Sequence, residues 1–204
     1  MGDVLDGRLG EDTGSGIGKA KAGRVAFTRR FLGDRRGSTA IEFAMLAFPF
    51  ALLVFAILES CISFAGQEVM ANITDDVARQ LRTGQLKQAD VSGSQLQDRI
   101  CARLEIIVAK GCPGLKVDLR EFTTFAAAAN AGFTVSGDTI TLTGVADPTF
   151  KVQTGLSESK NMLRVFYPWP VMTDFLAKSM SNMSNGTKTL HYASAVWQNE
   201  PFDD

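Results

Sequence analysis

Residues 39–66, TAIEFAMLAFPFALLVFAILESCISFAG, are interrupted only by Glu42 and Glu59, and from Phe43 to Leu58 no side chain is charged. A helix rises about 1.5 Å per residue and a bilayer core is about 30 Å thick, so roughly 20 such residues cross it. Leu, Phe, Ala, Val and Ile occupy the whole helical circumference of this run. The alternative, a core helix of a soluble protein, keeps a polar face. The run therefore reads as a membrane-spanning helix. Arg29, Arg30, Arg35 and Arg36 stand just before it, whereas Glu59 and Glu68 lie at its far end and no basic residue comes until Arg79. The positive-inside rule then leaves the N-terminus in the cytoplasm and exports the remainder of the chain. Pro49 lies within the run, where it removes one backbone hydrogen bond and kinks a helix. Glu42 either reaches the headgroup water or has a function, as intramembrane acids often do.

The residues around Glu42 bear on that choice. Gly37 comes after a basic pair and precedes Ser-Thr-Ala-Ile-Glu-Phe, which resembles the cleavage site of a type IV prepilin. In that family an aspartyl peptidase cuts after the glycine on the cytoplasmic face, and a glutamate stands fifth in the mature chain. The resemblance makes Ser38 the new N-terminus and Glu42 that fifth residue. The wider pattern, RRGSTAIEFAMLAFPFALLVFAILE, is similar to the TadE and TadF pseudopilins of the tight-adherence (Flp) pilus, with Ala40, Ile41, Glu42, Phe43, Pro49 and Glu59 in the matching places. It implies a minor pseudopilin in the bacterial inner membrane with a periplasmic C-terminal domain, serving pilus assembly, adhesion and biofilm formation. The implied partners are a prepilin peptidase, other pilins and pseudopilins, the assembly platform and membrane lipid. Cleavage creates an α-amine with a pKa near ~8, which a glutamate one turn on can neutralise in its own or a neighbouring subunit. The alternative is an uncleaved, single-pass anchored periplasmic binding or scaffold module. A secretory signal cut after Ala65 is disfavoured by an apolar run too long for such a signal.

Other chemistry is thinly represented. The 204 residues carry a net charge of −1, which lacks the basic excess of a nucleic-acid partner. The segment TGSGIGKA departs from a phosphate-binding loop at Thr13 and Ala20. His191 is the only histidine, alternating with apolar residues of a strand, so it reads as a satisfied or edge residue rather than a base. Asp118, Glu121, Asp138 and Asp147 are scattered over strands and turns with no pairing enforced by periodicity. No enzyme, cofactor, metal site or small-molecule substrate is expected. Of the three cysteines, Cys101 and Cys112 fall in the exported part, where a disulfide between them is the natural reading and two buried thiols the alternative, while Cys61 is a small helix residue.

The expected fold is α+β, with three regions. Residues 1–37 form a glycine-rich, polar cytoplasmic leader that is removed on cleavage. Residues 38–84 form the membrane helix and its amphipathic continuation through Val69, Ile73, Val77 and Leu81 to about Arg82, stopped by Gly84. Residues 85–204 form a periplasmic head, a helix packed on a small antiparallel sheet. In the head, Ser94 and Gln97 suggest a capping box for a helix over 95–111, stopped by Gly111 and Pro113. Period-two strands come next at 115–122, 133–144, 161–169 and 188–200, the third running out at Pro168 and Pro170. FAAAANAG suggests a short helix, as does 171–184 with Val171, Phe175, Leu176 and Met180 inward. The aromatic run FYPWP reads as sheet core or, alternatively, as a recognition patch. The Asn-Glu-Pro-aromatic close at 199–202 is also similar to TadE-like chains.

Overall fold

The computed structural model describes residues 38–183 and 187–202, with the backbone alone at 174–176. The leader and Gly37 lie outside the described residues. Helix α1 spans Ser38–Arg82 through Pro49. Two compact units divide it, one ending at Ala51 and the other starting at Leu52. In the first unit the helix presents its apolar side chains outward, with Phe43, Met45, Leu46, Phe48 and Phe50 all exposed. Such a surface is stable in lipid rather than water.

The second unit holds the head. Short helices α2 (Gln88–Val91) and α3 (Gln95–Leu104) precede strand β1 (Lys116–Phe122), α4 (Phe125–Ala129) and the hairpin β2 (Gly132–Ser136) and β3 (Thr139–Thr143). Strand β4 (Lys160–Pro170), helix α5 (Asp174–Met180) and strand β5 (Lys188–Gln198) complete it. β1, β4 and β5 form an antiparallel sheet in the order β1-β4-β5, and β2 and β3 form a second one. Alternation along the strands gives the large sheet two apolar faces. Val117, Leu119, Leu163, Val165 and Ala193 enter one core with Met70, Ile73, Val77 and Leu81 of α1. Phe166 enters the other, with Ile140 and Leu142 of the hairpin. The central strand is thus buried on both sides, and the sheet is sandwiched between helix and hairpin.

Three local expectations are corrected. α3 stops at Leu104 instead of reaching residue 111. Carried on to Cys112, a helix would place its Cα about 16 Å from that of Cys101, whereas the two are 5.7 Å apart and bonded. The capping box does not form, because Ser94 has helical dihedrals (φ −85°, ψ −8°) and its hydroxyl donates to Asp98 at 3.1 Å. β4 ends at Pro170, as expected, and Pro168 is still paired with β5. β1 leaves the register at Phe166, so both prolines fall where β4 has a neighbour on one side only. The helix expected over 171–184 is confined to Asp174–Met180. Val171 and Met180 are half-buried there, and the side chains of Phe175 and Leu176 lie outside the described residues.

Candidate functional site

At the start of α1, the Ser38 hydroxyl donates to Glu42 Oε1 at 2.8 Å across one helical turn, and both residues are exposed. This spacing puts the Ser38 side chain and the Glu42 carboxylate on one side of the helix. Pro49 is two turns further on.

A second polar arrangement joins the helix to the head. Glu59 is 7% exposed. Its carboxylate accepts the backbone N–H groups of Met172 and Thr173, the latter at 3.1 Å, and also the Thr173 hydroxyl. Thr173 is the N-cap of α5, so a side chain from α1 satisfies donors that the start of a helix leaves open. One turn later, Ser63 Oγ and His191 Nε2 share a hydrogen bond of 3.0 Å. Gly66 then lets Trp169 lie against the helix backbone, since a Cβ there would stand 2.5 Å from Cζ3 of the indole. The Gln67 amide closes the row, donating to Tyr192 O at 2.8 Å and accepting from Tyr192 N at 3.3 Å as a neighbouring strand would.

Ser63 and His191 resemble a nucleophile and base only in type. Both are buried, the Trp169 ring stacks on the imidazole at 4.9 Å, and among the described residues no carboxylate orients the ring. Burial holds the His191 pKa down at about 4, so the imidazole is neutral at physiological pH. This is a satisfied core histidine. The FYPWP run is likewise core: Phe166, Tyr167 and Trp169 are all buried.

Asp118, read as one of several scattered acids, is paired. It is fully buried with Arg164 opposite it in register and Arg120 two residues along the same face. Arg164 donates at 2.7 Å and Arg120 at 2.9 Å. The arginines' remaining donors go to carbonyls of Ala131, Gly132, Asp147 and Thr149, and Asp118 also accepts the Lys151 N–H at 3.1 Å. This group ties the hairpin and the 147–151 loop to the sheet. Elsewhere, Glu105 accepts the Gly111 N–H at 2.8 Å beside the Cys101–Cys112 bond. Those three side chains cluster like metal ligands, but the sulfur–sulfur bond consumes the thiolates a metal needs. Cys61 is free and exposed.

Sequence reasoning placed Glu42, Pro49 and Glu59 but not the partners of Glu59. The usable signal was the spacing Glu59, Ser63, Gly66, a polar and small stripe at intervals of four and three on one side of an otherwise apolar helix. Residues 37–79 match the family model of TadE-like protein. The chain carries a TadE-like segment. It begins on Gly37 and includes Glu42, Pro49 and the whole row from Glu59 to Gln67, and it ends before the first strand. The apolar helix of this segment fits a single-pass membrane anchor. No curated protein and no solved structure matches the chain.

Proposed function

We propose that the protein is a minor pseudopilin of a tight-adherence pilus, inserted in the inner membrane with its head in the periplasm, trimmed between Gly37 and Ser38, and used in pilus assembly. The observation that carries this reading is the start of the TadE-like match on Gly37 itself, directly after Arg35 and Arg36 and five residues before Glu42. The Ser38–Glu42 hydrogen bond supports a role for Glu42 in pairing with the α-amine that cleavage creates. The protein acts as a client of a prepilin peptidase and as a partner of other pilins, not as a catalyst.

The test is the intact mass and N-terminal sequence of the protein from its native membrane, with and without a co-expressed prepilin peptidase. A mature chain beginning at Ser38 only when the peptidase is present is expected. A chain still beginning at Met1 in its presence favours an uncleaved anchored scaffold, and one cut after Ala65 favours a secreted head.

A further inference from the structure

The head meets α1 from Glu59 onward, yet the other side of the helix stays apolar beyond that point. Leu58 and Phe64 are 51% and 69% exposed, Ile62 and Cys61 are also exposed, and the next charged residue after Glu59 is Glu68. Phe64 lies about 7 Å further along the axis than Glu59. Where α1 runs along the membrane normal, lipid that reaches Phe64 on one side reaches the underside of the head on the other. That underside is residues 170–180. Met172 and Thr173 hold Glu59 through their N–H groups, and the Ser60 hydroxyl lies 3.6 Å from Met180 Sδ.

The chemistry of this segment fits such a position. Met172 is 74% exposed, Pro170 is exposed, and Lys178 is exposed in the last turn of α5, where its stem can lie on apolar surface and its ammonium in the headgroups. The acid at this level, Glu59, is turned inward, its carboxylate held by the head's own donors instead of facing lipid.

We infer that residues 170–180 rest on the periplasmic surface of the membrane that α1 crosses, with Met172 inserted at the boundary of headgroups and acyl chains. The inference depends on α1 spanning the membrane, as proposed above. The head is then a membrane-seated body, and any step that lifts the subunit out of the bilayer must detach this foot as well as extract the helix.

Depth-dependent quenching tests it on the full chain in phosphatidylcholine–phosphatidylglycerol vesicles containing brominated lipid. In a Cys61→Ser background, an environment-sensitive fluorophore is attached at Phe48→Cys, Met172→Cys or Leu156→Cys, with Lys178→Cys as a second probe of the foot if Met172→Cys misfolds. Leu156 is 62% exposed and lines the same cleft as Leu81, which lies about 33 Å along α1 from Glu59. Quenching at positions 48 and 172 several-fold above that at 156 is expected. Quenching at 48 with 172 no different from 156 overturns the inference and leaves the membrane span standing. Absence of quenching at 48 overturns both. A label at 172 shielded from lipid and from aqueous iodide alike places protein over the foot and also overturns it.

Discussion

The Glu59 carboxylate accepts the Thr173 N–H at 3.1 Å and so joins two residues separated by most of the head. This contact lies at the level where the exposed apolar band of α1 first meets folded protein. Replacing Glu59 with Ala leaves the Met172 and Thr173 donors without an acceptor, at a cost of about 1–3 kcal/mol. The expected outcome is a Tm lowered by several degrees in detergent, with faster amide exchange at Met172 and Thr173 than in the parent. Unchanged exchange at those two amides counts against the role assigned to Glu59.

Gly66→Ala sets two effects against each other. In an exposed helix the change stabilises by about 1 kcal/mol. Here the added methyl stands 2.5 Å from the Trp169 ring, and overpacking costs about 1–3 kcal/mol. Destabilisation is expected, and Trp169→Phe, which shortens the ring, should recover part of it. A double-mutant cycle on Tm reads the coupling; strictly additive effects mean that the close approach is not the cause.

His191 makes stability depend on pH. Its pKa falls from 6.5 to about 4 on folding, so between those values the unfolded chain binds a proton that the folded chain does not. Stability is therefore full above pH 6.5, declines as pH falls toward about 4, and levels off below it, a loss on the order of 3 kcal/mol from this group. The difference between wild type and His191→Phe across pH 7 to 4 isolates it from the carboxylates. A flat difference shows that the imidazole takes up its proton as readily in the folded chain as in the unfolded one.

Asp118→Ala leaves Arg120 and Arg164 buried without their counter-charge, an effect of about 3–5 kcal/mol. A protein that fails to fold or melts far below the parent is expected. Replacing all three by Leu or Met of similar volume should recover much of the loss, because an apolar substitute has no charge to desolvate. Circular dichroism melts of the two variants compare them directly.

Glu42→Gln should leave cleavage at Gly37 intact and lower assembly at least several-fold, since the amide keeps the shape but not the charge. Mature mass reports the first and pilus yield the second. Normal piliation with the amide removes charge pairing from the account.

Local physics explains what was legible in the chain. An uncharged run from Phe43 to Leu58 has few stable fates, and Val69, Ile73, Val77 and Leu81 at intervals of four can only line one side of a helix. Gly84, at φ +70°, stops that helix where a residue tolerant of left-handed geometry was needed. The Asp118–Arg120 spacing of two, in a period-two segment, is half of a pairing signal; the other half, Arg164, lies 46 residues from Asp118 in sequence, where periodicity does not reach.

Amino-acid order alone determined the apolar helix and the strands, because each rests on neighbours within a turn or two along the chain. Tertiary structure decided the rest. It chose which side of α1 the head covers, turned Glu59 toward Thr173 and Ser63 toward His191, buried β4 on both faces, and ended α3 early so that Cys101 meets Cys112. These outcomes depend on contacts between residues far apart in sequence, where burial and the need to satisfy polar groups outweigh local preference.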